Sequence, residues 1–115
     1  MILLSEKEKK QKEIDEAVKK AKEKGKKKLV ELKIPHEETG ETYYGVFTLP
    51  TSHQIKILKK DPDTGSVVMA KGCLIYPDKE QFGELIEEYP GFATSITNKL
   101  AELRGYGVEV EAKNL

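Results

Sequence analysis

The chain has no tryptophan, one cysteine (Cys73), one arginine (Arg104) and two histidines (His36 and His53) in 115 residues. Each scarcity closes off a class of protein. A single thiol leaves no internal disulfide and points to a reducing compartment. Two histidines in different segments, with no cysteine or carboxylate at ligand spacing, fall short of the roughly four donors of a structural zinc site. One arginine leaves little for bidentate readout of bases. No apolar run approaches the ~20 residues of a membrane span. Met1-Ile2-Leu3-Leu4 is followed at once by charge and is too short for the core of a signal peptide. The expectation is a cytoplasmic protein with no membrane contact, no metal and no cofactor.

Catalytic signatures are missing too. The glycines form neither GxxxxGK[ST] nor GxGxxG, so no phosphate cradle is encoded. Ser5, Ser52, Ser66 and Ser95 lack the strand-turn-helix context of an activated nucleophile. Cys73 sits in an apolar run, where a free thiol behaves as a small buried hydrophobe. The carboxylates of Lys79–Glu88 read as a solvated helix face. No catalytic residue is expected, and the chain reads as a non-enzyme.

What is present is charge. Charged residues make up 35% and hydrophobic residues 37%, high and low for a globular domain. The zero net charge hides an asymmetry: residues 1–28 carry eleven lysines against six acids, and the remainder carries the matching acidic excess. Residues 1–28 therefore read as a charged N-terminal helix or arm, and residues 29–115 as a single α+β domain. Lys26, Lys27 and Lys28 offer phosphate neutralisation. The six acids beside them, and aromatics that lie elsewhere, argue against nucleic acid as the main partner.

Ser5-Glu6-Lys7-Glu8 has the form of a capping box. From there to Lys24, Ile14, Ala17, Val18 and Ala21 make one narrow apolar stripe, and Gly25 supplies a stop. Such a helix lies on the body, pairs with another copy as a homo-oligomer contact, or frays; all three stay open. Val30, Leu32 and Ile34 then alternate with Glu31 and Lys33, and Thr42 to Leu49 is aromatic and β-branched, which predicts a β-hairpin. Thr51 with Gln54 opens a helix. Residues 54–71 admit two readings, helices or a second hairpin; Asp61-Pro62 as cap and first helical residue favours helices.

Cys73 to Gly105 holds two Tyr-Pro steps, and proline fixes a corner at each. The stretch reads as three short helices. Phe82, Leu85, Ile86 and Tyr89 form one inner stripe, and Phe92, Ile96, Leu100 and Leu103 another. Tyr106, Val108 and Val110 alternate as a further C-terminal strand would. The expected fold class is α+β: an N-terminal charged helix, a β-hairpin with a third C-terminal strand as an option, then a compact bundle of three to four short helices. Most of the large rings belong in the core. Tyr44, Phe47, Tyr76, Phe82, Tyr89 and Phe92 are the candidates to line a groove for a partner's apolar helix.

The segment Cys73-Leu74-Ile75-Tyr76-Pro77-Asp78, the Phe82 and Leu85 positions, Tyr89-Pro90-Gly91 and the upstream Gly45-Val46-Phe47-Thr48-Leu49-Pro50-Thr51 carry a resemblance. Together they are similar to a pattern in small phage and prophage proteins of tail gene clusters, the tail assembly chaperones that accompany the tape measure protein. The resemblance spans roughly residues 43–105 and leaves the basic arm uncovered. It implies a non-enzymatic protein that binds long, aggregation-prone helices of the tape measure protein, or another phage tail protein, in the bacterial cytoplasm during virion morphogenesis. Such families are often made in short and frameshift-extended forms. A structural or accessory tail protein, or a weak nucleic-acid-binding accessory protein, are the alternatives.

Overall fold

The computed structural model describes residues 1–26, 28–107 and 110–114. In chain order the elements are β1 (Ile2–Leu3), α1 (Gln11–Glu23), β2 (Leu29–His36), β3 (Glu41–Thr48), α2 (Ser52–Lys60), α3 (Pro62–Cys73), β4 (Leu74–Tyr76), α4 (Lys79–Glu88) and α5 (Gly91–Leu103). The hairpin predicted from alternation is present. β2 and β3 pair antiparallel from Leu29 opposite Thr48 to His36 opposite Glu41. Gly40 closes the turn at φ +71, a conformation that favours glycine, and its amide donates to the His36 carbonyl at 2.9 Å.

β3 is the axis of a four-stranded sheet. β2 flanks it along its whole length, while β1 and β4 share its other side, pairing with Tyr43–Tyr44 and Val46–Phe47 respectively. Because strand side chains alternate, the sheet has two apolar faces. Leu32 and Phe47, with Val30, Ile34 and Tyr43 at the margin, pack with the residues of the C-terminal helices. Tyr44, Val46 and Tyr76 turn the other way and pack with Ile2, Ile14, Ala17 and Val18. The molecule is thus a three-layer arrangement of α1, sheet and helical cluster, in which Tyr44, Gly45, Val46 and Phe47 are all buried.

The helical reading of residues 54–71 is the one that forms. Thr51 Oγ1 accepts from the Gln54 amide at 3.2 Å while Gln54 Oε1 accepts from the Thr51 amide at 2.8 Å, a complete capping box for α2. Asp61 caps α3 through the Thr64 amide with Pro62 at its first position, and Asp78 caps α4 through the Gln81 amide at 2.8 Å. α3 carries the one buried polar pair in the helical layer. Thr97 Oγ1 lies 3.4 Å from Ser66 Oγ, and Ser66 donates to the Pro62 carbonyl at 2.7 Å. Both hydroxyls are therefore satisfied.

Two local expectations are corrected, and a third falls partly outside the described residues. The Ser5–Glu8 capping box does not form: Leu4–Glu6 is a single 3-10 turn, and α1 starts at Gln11 behind Lys10, which gives no side-chain cap. A cap is worth about 1 kcal/mol, whereas burying side chains such as Met1 and Ile2 contributes about 1.5–3 kcal/mol each. Sheet pairing of Ile2–Leu3 therefore sets where the helix begins. Leu74–Tyr76, read as helical, is strand β4; the residue before proline is pushed toward extended backbone, and Pro77 follows directly. The third strand at the C-terminus falls partly on Val108 and Glu109, which lie outside the described residues. The described residues 110–114 are irregular and exposed. Among the described residues, the strands that widen the hairpin are β1 and β4.

Gly65 sits where α3 crosses α2. A Cβ built there would lie 2.6 Å from Leu58 Cα and 3.1 Å from the Ile57 carbonyl oxygen, backbone atoms that cannot step aside. Gly83 in α4 has nothing within 4 Å of the same position. Gly65→Ala is expected to destabilise by about 1–3 kcal/mol, and Gly83→Ala to stabilise by about 0.5–1 kcal/mol through helix propensity. Urea denaturation of both variants checks the opposite signs.

Candidate partner-binding surface

The six rings proposed from sequence are placed mainly in the interior. Phe47 and Phe82 are fully buried and meet edge to face, centroids 5.9 Å apart, across the sheet–helix boundary. Tyr44 and Tyr76 are buried together in the α1 layer. In this conformation Tyr44, Phe47 and Phe82 present no surface to a partner. Tyr89 and Phe92 stack at 5.1 Å and join His36 and Tyr43 at the turn end of the hairpin. The His36 ring lies 4.6 Å from the Tyr89 ring. His36 Nδ1 and Thr39 Oγ1 are 3.0 Å apart. This corner ties the hairpin to the α4–α5 junction, and of the six only its Tyr89 remains half-exposed.

The polar atoms of Tyr44 and Tyr76 explain why they accept burial. Tyr44 Oη donates to Glu31 Oε1 at 2.6 Å, and Tyr76 Oη donates to Glu13 Oε2 at 3.2 Å. Lys7 completes the first bond from above, 3.7 Å from the Glu31 carboxylate and 4.8 Å from the centre of the Tyr44 ring. Burial first, and the neighbouring carboxylates second, push both phenols upward, Tyr76 to about 12. Tyr43 also rises to about 12, from the same two causes with Glu41 as its neighbour.

α1 does not cover its face of the sheet completely. Between it and β2 lies an open groove of about 550 Å³, lined by Val18, Leu29, Val30, Val46 and Leu49, with Lys22, Lys28 and Glu31 also on its wall. Two smaller depressions adjoin the end of α1. One, of about 380 Å³, is lined by Lys26, Lys28, Leu49 and Arg104, and the other, of about 350 Å³, by Lys20, Lys24, Lys26 and Lys79. Convergence of these cations at the C-terminal end of α1 complements the helix dipole and leaves a basic surface around an apolar floor.

No protein-family model matches this sequence, and no curated protein is similar to it at a significant level. One solved structure is. The chain is similar to an uncharacterised protein, rbstp2171, from Bacillus stearothermophilus, with a TM-score of 0.64 and 22% identity, over 83% of this chain and 99% of that one. At that identity the likeness speaks to the fold alone.

Chemically the groove is equipped for apolar contact with a charged flank. The one thiol, Cys73, is buried away from it; burial raises its pKa, and its Sγ lies 3.6 Å from Gln54 Oε1. His53 is exposed on α2, remote in sequence and element from His36. Among the described residues, no three His, Cys, Asp or Glu side chains group so as to hold a metal ion, and no helix is long and apolar enough to cross a membrane.

Sequence reasoning missed the groove because its floor comes from three segments. Val18 was visible as part of the α1 stripe, and Leu29 and Val30 as the start of a strand. Leu49 looked like a strand end. Nothing local says that these meet. The one available signal was that Val18 sits at the edge of the stripe, where a helix leaves apolar surface half-covered.

The raised phenols give a pH prediction. Tyr43, Tyr44 and Tyr76 hold their protons more tightly folded than unfolded. The folded state therefore binds more protons once pH exceeds the ordinary value near 10, and stability falls as pH rises toward about 12. Their contribution is fully present below pH 10. Tyr44→Phe is expected to cost about 1 kcal/mol at neutral pH through the lost bond to Glu31, and to flatten the alkaline decline. Urea midpoints measured from neutral to alkaline pH test both effects.

Proposed function

We propose that this protein is a non-enzymatic tail assembly chaperone of a phage or prophage, acting in the cytoplasm of the bacterial host. It holds apolar helical segments of the tape measure protein in solution until the tail polymerises. The lysine-flanked apolar groove between α1 and β2 carries this reading. An amphipathic helix lays its apolar face into such a groove, and an acidic flank on that helix meets Lys22 and Lys28. The resemblance over residues 43–105 supplies the identity of the partner. In this reading the contact lies not at Tyr44, Phe47 and Phe82, which are buried in the core, but on the α1 side of the sheet, with Val18 and Leu29 as its apolar side chains.

A structural or accessory tail protein is the alternative that uses the same surface. Weak nucleic-acid binding is the second reading with an observation behind it, the grouping of Lys26, Lys28 and Arg104 around one depression.

Co-expression with the tape measure protein of the same gene cluster tests the proposal. The expected result is co-purification of the two chains and a larger soluble fraction of the partner. Val18→Glu, at a half-exposed position, is expected to reduce that rescue about tenfold or more while leaving the circular dichroism spectrum unchanged, because it puts a charge on the apolar floor. If the partner is equally soluble without this chain, the proposal fails. If this chain instead persists in finished virions, the structural reading replaces it. Should DNA be retained with a steep salt dependence that Lys26→Glu/Lys28→Glu abolishes, the nucleic-acid reading does.

A further inference from the structure

β2 has a free edge. β3 occupies one side of it, and β1 and β4 lie beyond β3, so among the described residues no strand runs along the outer side of Leu29–His36. Alternate residues of this edge direct unpaired amide and carbonyl groups outward, with Pro35 near one end contributing no amide, and the Leu29–Ile34 portion is a template for another strand. The side chains beside it are only partly covered: Leu29, Val30 and Ile34 are half-buried, and Glu31 and Lys33 are exposed.

We propose that the occupant of this edge is a second copy of the chain, β2 against β2, antiparallel about a two-fold axis at Leu32. The edge is complementary to itself in that register. Leu32 faces the partner's Leu32, Val30 faces the partner's Ile34, and Glu31 faces the partner's Lys33. Symmetry repeats the apolar and the charged pair on the other side of the axis. Neighbouring registers fail. An axis at Glu31 sets that carboxylate against the partner's Glu31, and an axis at Lys33 sets two ammonium groups together. An axis between residues pairs side chains that belong to opposite faces of the sheet.

The charges are free to take part. Both internal contacts of Glu31, from Tyr44 Oη and Lys7 Nζ, fall on Oε1, which leaves Oε2 for the partner's Lys33. Lys33 itself forms no ion pair among the described residues. Residues directly opposite in an antiparallel pair point to the same face, so the α1 layers of both subunits lie on one side of a continuous sheet. Their grooves then flank the axis. This association surface is separate from α1, whose apolar stripe is turned onto the sheet through Ile14 and Ala21.

The test is sedimentation velocity of the full chain from dilute to concentrated solution, paired with amide hydrogen exchange. The expected result is a concentration-dependent doubling of mass, with slower exchange, as the dimer forms, at those alternate Leu29–Ile34 amides that point away from β3. Lys33→Glu turns two opposite-charge pairs into like-charge pairs and is expected to weaken the dimer about tenfold or more. Mixing Lys33→Glu with Glu31→Lys restores every charge pair and is expected to return the dimer. The exchange measurement on the unaltered chain stands even where Glu31→Lys, which loses the Tyr44 bond, folds poorly. A monomer at every concentration overturns the proposal. So does a dimer indifferent to Lys33→Glu, or protection of the amides that point away from β3 that does not depend on concentration and therefore comes from the chain's own residues. The outcome is independent of tape measure binding, which is read from partner solubility.

Discussion

Burial of one strand from both sides holds this molecule together. Tyr44, Gly45, Val46 and Phe47 are consecutive and all inaccessible, which an isolated hairpin cannot achieve. Phe47 and its side of the sheet need the helical cluster, and Tyr44 and Val46 need α1. Gly45 marks how closely the layers approach. A Cβ there would meet Met1 Cγ and Phe47 Cε2 at 3.0 Å and the Tyr76 carbonyl oxygen at 3.1 Å. The strands that bring Met1 and Tyr76 to this point, β1 and β4, lie some seventy residues apart in the chain. Sheet and helices therefore form only together.

The α1 layer gives the surface its character. Its apolar residues are few, and its hold on the sheet is reinforced by one phenol–carboxylate bond, Tyr76–Glu13. A narrow stripe covers the strands only in part, and the groove is the uncovered remainder. The same narrowness leaves the lysines of α1 in water around that groove. An apolar floor with a cationic rim is a surface on which the apolar face of an amphipathic helix with acidic flanks can lie.

Much of this was legible in the residues. Alternation at Val30, Leu32 and Ile34 located β2, and the Thr51–Gln54 and Asp78–Gln81 pairs located α2 and α4 through local hydrogen bonds that the structure makes. Other features were fixed by distant contacts. Leu74–Tyr76 continues a helical spacing in sequence, yet β3 offers an unpaired edge beside it and Pro77 biases it toward extension. Ser5–Glu8 is a sound capping box that loses to the pairing of Ile2 and Leu3. For the site, the aromatic residues were visible but their depth was not. Large rings are the most valuable residues to bury, so Tyr44, Phe47 and Phe82 belong to the core. The groove is lined instead by aliphatic residues that no motif singles out.

The groove and the Tyr76–Glu13 bond exist only while α1 is docked on the sheet, so docking is the claim on which the rest stands. Native-state hydrogen exchange of the unaltered protein measures it directly. The prediction is that amides from Ile14 to Ala21 in α1 are protected against exchange and open together with those of Tyr44–Phe47 as denaturant is added. Exchange of the α1 amides at the rate of an unstructured peptide, with β3 still protected, would contradict it.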